Sequence, residues 1–247
     1  MTQPRQVDVY LLPSLVEPQE LAGKLVVVVD ILRATTTIVH ALAAGAVQVV
    51  PCLEIDEARR LAGEFAGPAL LGGERSGGKI PGFDLGNSPQ EYTPASVGGK
   101  TLVFTTTNGT QALARCRAAR RVLLGAFINL SAMCRELAGE DHVTVVCAGT
   151  NGQVTREDAL FAGALADELT AAGKWTLNDQ GQIVRDAWRS AAANLVADPL
   201  SRTLRSSKGG RNLIGIGHEN DIALAAEIDK FDLVPELDLA TWRIRPA

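Results

Sequence analysis

Aromatic side chains make up only 4% of this chain. A hydrophobic fraction of 46% therefore rests on Val, Leu, Ile and Ala, and the core has to be aliphatic. The four cysteines, Cys52, Cys116, Cys134 and Cys147, are widely separated and form no CxxC pair, which argues against a disulfide framework and a structural zinc site. Three scattered histidines leave histidine triads without support. No apolar run reaches the roughly 18 residues of a membrane span. Residues 7–12, after a polar start, are too short for the core of a signal peptide, so the expected location is the cytoplasm. Lys and Arg number 24 against 28 acidic residues, without basic blocks, and the net charge is −4. That argues against a general nucleic-acid surface, which needs a basic face to displace counterions. No G-x-G-x-x-G follows an early strand, which counts against a nucleotide-binding oxidoreductase. A small anion needs only a few local donors, and that ligand class stays open.

What is present is an alternation of strand-like and helix-like segments over 247 residues. Residues 7–12 begin it, and the β-branched run at 25–29 has the pattern of a strand buried on both faces. A helix follows over 35–44, closed by Gly45. Strands are expected at 47–50, 102–104, 121–124 and 142–147, with helices at 55–65, 110–116, 130–137 and 157–171. The fold class is α/β, a layered α/β/α arrangement with a mostly parallel or mixed sheet. Two α/β lobes are one form of it, 1–125 and 126–247, the other being a single domain. Residues 175–204 read as largely helical. The polar segment 206–211 leads to a further helix at 221–228. The 24 glycines imply many tight turns.

Ligands of open α/β sheets sit at the carboxyl ends of parallel strands, and three strand ends here carry unusual polar residues. At the first, Asp30 ends the apolar run and Arg33 follows, ahead of Thr35, Thr36 and Thr37. An aspartate there can ligate Mg²⁺ or act as a nucleophile, and Arg33 can clamp a phosphoryl or sulfonyl oxygen. The plainer alternative is a helix cap with a threonine first turn. The second is the glycine-dense stretch 72–89, a loop long enough to suggest function. Glu74 and Asp84 are its candidate metal ligands and Arg75 and Lys79 its candidate anion clamps; a structured surface loop is the alternative. The third is Thr105, Thr106, Thr107 and Asn108 before Gly109, which suits phosphate held by hydroxyls and backbone N–H groups, or else a Thr/Asn cap. It lacks the Gly-Lys-Ser/Thr ending of a P-loop. Asp158 is either a metal ligand or half of a capping box with Thr155. Cys147, ending an apolar strand, reads as a small buried hydrophobe. His40 reads as structural, His142 as exposed at the far end of its strand, and His218 as a cap.

The segments at 29–37, 72–75, 82–89 and 106–110 resemble the 2-phosphosulfolactate phosphatase (ComB) family. So do Cys-Ala-Gly at 147–149, Glu-Asp at 157–158, Ser-Lys-Gly-Gly-Arg-Asn-Leu at 207–213 and Asp-Ile at 221–222, in the expected order along nearly the whole chain. The resemblance implies a Mg²⁺-dependent phosphatase that converts 2-phosphosulfolactate to sulfolactate and phosphate, a step of coenzyme M biosynthesis. The expected acidic set is Asp30, Glu74, Asp84 and Asp158. Catalysis is expected from Asp30, Arg33, Glu74 and Asp158, with metal held by Asp30, Glu74 and Asp84. Substrate contacts are expected from Arg75, Lys79, Asn87, Ser88, Thr105, Thr106, Thr107, Asn108 and Arg211. The rival function is a non-catalytic binding protein for a small phosphorylated or sulfonated metabolite, which the same donors would serve without converging carboxylates. A homodimer is the default assembly.

Overall fold

The computed structural model describes residues 5–195 and 199–247. Residues 196–198, within the expected helical run 175–204, and residues 1–4 lie outside them. The strands are β1 (Arg5–Tyr10), β2 (Leu25–Val29), β3 (Gln48–Pro51), β4 (Ala69–Arg75), β5 (Gly78–Lys79), β6 (Thr101–Thr105), β7 (Arg121–Gly125), β8 (His142–Cys147), β9 (Trp175–Leu177), β10 (Pro235–Asp238) and β11 (Arg243–Pro246). The α-helices are α1 (Ala34–Ala43), α2 (Ile55–Glu64), α3 (Pro94–Val97), α4 (Gly109–Arg115), α5 (Leu130–Leu137), α6 (Arg156–Ala172), α7 (Asp179–Ala192), α8 (Leu200–Arg205), α9 (Lys208–Gly215) and α10 (Asn220–Ala225). The α/β class and its mixed sheet are as the alternation implied. Among the described residues no helix is long and apolar enough to cross a membrane.

The strands share one sheet in the order β5-β4-β6-β3-β11-β10-β7-β2-β8-β1-β9. β7, β2, β8, β1 and β9 are mutually parallel, and so are β3, β6 and β4. Between the two blocks lies the hairpin β10–β11, antiparallel to β7 on one side and to β3 on the other. Three antiparallel steps reverse the direction, so the two parallel blocks run opposite ways. β2 pairs with both β7 and β8, and strands from either side of residue 125 thus belong to one block.

The all-valine alternation of β2 sends its side chains into two cores. Val27 and Val29 join α5, α6 and α7 on one face. Val26 and Val28 join Ile38 and Leu42 of α1 and Ala112 and Leu113 of α4 on the other, and Val49, Leu102 and Phe104 of the second block enter that same core. The sheet therefore curls around α1, which is buried from Ala34 to Leu42. A helix with so many β-branched residues has low intrinsic propensity and depends on this enclosure. α2 covers the outer face of the second block with Ala58 and Leu61 against Val50 and Val103.

Several elements differ from the sequence reading. Residues 72–75, read as part of a loop, are the end of β4, because Gly72 and Gly73 pair with Phe104 and Thr105 of β6. The expected helical run opens with β9, which extends the sheet beside β1. The polar segment 206–211 itself enters a helix ahead of the expected one: Ser207 caps α9 by accepting the N–H of Gly210, and the helix starts at Lys208. β10 and β11, short and charged, carry too little alternation to be seen in isolation.

α6 and α7 pack closely at Gly163, where an added Cβ would come within 2.1 Å of the Val184 carbonyl oxygen and 2.9 Å of the Trp188 Cβ. Gly163→Ala is expected to cost about 1–3 kcal/mol through overpacking, although alanine favours a helix intrinsically. Urea unfolding of the two proteins measures it, and an unchanged or higher midpoint would refute the account.

Candidate active site

β2 ends at Val29, and the chain then turns through residues 30–33 into α1. The Thr35 hydroxyl donates to the Asp30 carbonyl at 2.8 Å and the Thr36 hydroxyl to the Ile31 carbonyl at 2.8 Å. Thr37 donates to the Asn87 carbonyl at 2.9 Å. These threonines fasten the turn and are not free for an anion. Asp30 does share in capping, since its Oδ1 accepts the Ala34 N–H at 3.2 Å. Its Oδ2 faces Gly109 at the start of α4, where a Cβ would sit 2.7 Å from that oxygen and 2.5 Å from the Ala34 Cβ. Glycine at 109 is thus what lets the ends of β2 and β6 meet.

A cavity of about 500 Å³ opens at this junction. Asp30, Arg33, Glu74, Asn87, Thr107, Asn108 and Arg211 contribute to its wall. Glu74 reaches it from the end of β4, its Oε1 accepting the Thr107 N–H at 2.7 Å and its Oε2 the Gly77 N–H at 2.6 Å. Asn108 braces the rim by accepting the Asn151 N–H at 3.0 Å. Arg33 donates through Nη1 to Asp221 and through Nη2 to the Gly77 carbonyl, both at 2.7 Å. Arg211, near the start of α9, donates to the Ser206 carbonyl.

Asp158 lies directly behind the cavity, and its role is not that of a capping box. Thr155 makes no side-chain cap bond. Asp158 instead accepts the Ile31 N–H through Oδ1 and the Gly149 N–H through Oδ2, each at 2.9 Å. Glu157, its neighbour, points to the start of α9 and is 1% exposed. Burial pushes the Asp30 carboxyl up to about 7; Glu74 and Glu157 add to the rise, while the Ala34 N–H and Arg33 oppose it. Burial likewise raises Asp158 well above the ordinary range, with Asp30 and Glu157 contributing, and raises Glu157. Three carboxyls in one poorly hydrated region resist joint ionisation.

The remaining expected residues lie outside the cavity wall. Asp84 is exposed and accepts the Leu71 N–H at 2.8 Å, apart from Asp30 and Glu74. Lys79 is exposed and donates to the Asp84 carbonyl at 3.2 Å. Arg75 turns back to the Glu74 and Leu53 carbonyls and to Thr105 Oγ1. Thr105 also donates to Leu53, and Thr106 accepts the Thr110 N–H as a cap. Ser88 donates to Asp221 at 2.6 Å. Sequence reading did not single out Glu157 or Asp221 as site residues. Each stands in a motif of the resemblance, Glu-Asp at 157–158 and Asp-Ile at 221–222, but only the packing of α9 and α10 against the strand ends shows that it backs the site.

A divalent cation fits the donors. Asn87 Oδ1 and Thr107 Oγ1 belong to wall residues, and both are buried without a hydrogen-bond partner, as is Glu157 Oε2. With Asp30 and Glu74 they make an all-oxygen set, the chemistry of a hard cation. Among the described residues no three His, Cys, Asp or Glu side chains gather to hold a metal by themselves. Mg²⁺ is commonly held by one or two carboxylates together with water and substrate oxygens.

A family model described as 2-phosphosulpholactate phosphatase matches residues 10–239 of this chain. A protein of Symbiobacterium thermophilum is 42% identical over 220 residues, 88% of this chain and 92% of that protein. One of Caldanaerobacter subterraneus is 40% identical over 224 residues, 90% of this chain and 91% of its own. One of Deinococcus radiodurans is 39% identical over 213 residues, 85% and 86% of the two chains. All three carry the name "Probable 2-phosphosulfolactate phosphatase".

The Asp30 carboxyl yields a stability prediction for the Mg²⁺-free protein. An unfolded aspartic acid releases its proton near pH 4, whereas folded Asp30 keeps it to about pH 7. Between those values the folded state binds more protons, so stability falls as pH rises from about 4 to about 7 and levels off above. Asp30→Asn is expected to remove this loss, raising stability by roughly 1–3 kcal/mol at pH 8 with little change at pH 4. Thermal unfolding at both pH values checks it; a variant no more stable than wild type at pH 8 would rule out the burial argument.

Proposed function

Because the chain belongs to the 2-phosphosulfolactate phosphatase family, we propose that it hydrolyses 2-phosphosulfolactate, with Mg²⁺, to sulfolactate and phosphate. The observation that carries the reading is the meeting of Asp30, Glu74, Arg33 and Arg211 on the wall of one cavity. Two carboxylates converge there, which a binding protein for an anion would not need. The substrate identity is supported by the names of the relatives, and a role in coenzyme M biosynthesis goes with it.

Asp30, Glu74, Asn87 and Thr107 would hold Mg²⁺. When bound, it supplies positive charge to the phosphoryl oxygens and lowers the pKa of a coordinated water. Charge balance supports its presence. Arg33 and Arg211 share the wall with Asp30 and Glu74, and Arg33 is already paired with Asp221. A substrate with a phosphate and a sulfonate adds more negative charge to a site without surplus cations.

Arg33 is placed to hold the phosphoryl group, with its guanidinium offering a planar set of donors to oxygen. Thr107 and Asn108 line the same side of the cavity as Glu74, whose carboxylate fixes the Thr107 backbone. Arg211, which α9 brings to the same cavity wall, would take the second anionic group. Asp30 Oδ1 is engaged by the Ala34 N–H, which leaves Oδ2 as the oxygen available to the reaction. A water oxygen attacks phosphorus and gives up a proton, the bond to the ester oxygen breaks, and the leaving oxygen takes up a proton to give the hydroxyl of sulfolactate.

Phosphate release from 2-phosphosulfolactate should require Mg²⁺ and stop on chelation. Asp30→Asn should lower kcat by about 10²-fold or more, the scale expected for a group acting on the reacting atoms, while leaving the fold intact by circular dichroism. Full activity in Asp30→Asn would remove Asp30 from the mechanism, and turnover unaffected by chelation would remove Mg²⁺. No release from this substrate, with release from another phosphorylated hydroxy acid, would reassign the substrate alone.

A further inference from the structure

The Arg33 guanidinium is only 3% exposed, yet it forms part of the cavity wall. Two of its five N–H donors go to Asp221 and the Gly77 carbonyl. Asp221 itself lies behind that wall, with no exposed surface. Its Oδ2 receives Arg33 Nη1 at 2.7 Å, while its Oδ1 receives the Ser88 hydroxyl at 2.6 Å and the Gln90 amide at 3.1 Å. His218 Nδ1 stands 3.6 Å from Oδ2; the cap position of α10 is taken by Glu219, not by His218. Behind Asp221, Ile222 and Ala225 of α10 are fixed in the main apolar core.

We infer that Asp221 is a positioning residue for the reaction, holding the Arg33 guanidinium in the one orientation that presents its remaining N–H groups to the substrate phosphoryl oxygens. The inference rests on the functional reading of Arg33 given above. An arginine has several rotatable bonds, and an unrestrained guanidinium would have to be ordered at each binding event. Here one edge is locked twice, by a carboxylate and by the Gly77 carbonyl. The carboxylate cannot rotate away, since Ser88 and Gln90 hold its other oxygen. Asn87 and Ser88 divide the work between adjacent residues: the first lines the cavity and the second secures the support. A buried ion pair is by itself weak grounds for stability, so its placement behind a wall arginine is better explained by orientation.

The test is a double-mutant cycle between Asp221→Asn and Arg33→Lys, read by phosphate release from 2-phosphosulfolactate with Mg²⁺ and by calorimetric titration of inorganic phosphate. Arg33→Lys should lower kcat/KM, because an ammonium cannot reproduce the fork. Asp221→Asn alone should lower kcat/KM by about 10- to 100-fold, the scale of a misplaced contact, and weaken phosphate binding. In the Arg33→Lys background the same change should cost less than about threefold, because interacting sites are not additive. A purely structural role would instead show as a lower unfolding temperature with equal kinetic losses in both backgrounds, and that result overturns the inference. So does an Asp221→Asn protein with wild-type kcat/KM alongside an impaired Arg33→Lys. An Arg33→Lys protein as active as wild type overturns the reading of Arg33 and this inference with it. If Asp221→Asn fails to fold, Ser88→Ala in both backgrounds reads the same coupling without removing a buried charge; its loss should be smaller and should vanish in the Arg33→Lys background, and an equal loss in both refutes the inference.

Discussion

The Asp158 carboxylate on α6 accepts the Ile31 N–H with one oxygen and the Gly149 N–H with the other. One side chain thereby ties the turn after β2 to the turn after β8, across adjacent parallel strands. Backbone donors at strand ends that leave the ladder must find partners or pay a desolvation penalty. Supplying them from a buried acid places a second carboxyl behind Asp30. Burial raises the proton affinity of both groups, with Glu74 and Glu157 adding to the rise at Asp30 and Asp30 and Glu157 adding to it at Asp158.

The second constraint is the reversal of strand direction by β10 and β11. In a flat sheet, two opposed parallel blocks would put their carboxyl ends on opposite edges. Sheets twist by about 20–25° per strand step, and this one closes over α1 with residues of both blocks in a common core. The end of β4, carrying Glu74, and the end of β6, carrying Thr107, consequently meet the end of β2 at Asp30. Gly109 leaves room for the approach. The cavity is thus shared between the blocks and could not be built from either.

Around that cavity most charged groups are engaged with backbone. Glu74 holds two N–H groups, Arg75 braces the Leu53 and Glu74 carbonyls, and Arg33 spans Asp221 and Gly77. Such bonds hold side chains in fixed orientations, which is how a site avoids reorganising as charge develops on a substrate. Two buried oxygens without partners, Asn87 Oδ1 and Thr107 Oγ1, belong to residues of the cavity wall.

Much of this was legible in the sequence. The valine run of β2, the strand–helix alternation and the polar endings at residues 30, 74 and 106–108 depend on local periodicity and on the rule that ligands gather at parallel strand ends. The family motifs lay on those same segments. Side-chain direction was not legible. Arg75, Lys79 and Asp84 occupy the same glycine-rich stretch as Glu74, but β4 and its hairpin with β5 turn only Glu74 inward. The helical identity of α9 depends on the Ser207 cap, and the strands β10 and β11 exist only because neighbouring edges offer them partners. The sequence alone determined which residue types stand at the ends of which strands. Only the tertiary structure decided which of them face one cavity, because that follows from sheet curvature and from contacts between residues more than a hundred positions apart, such as Ile31 with Asp158 and Arg33 with Asp221.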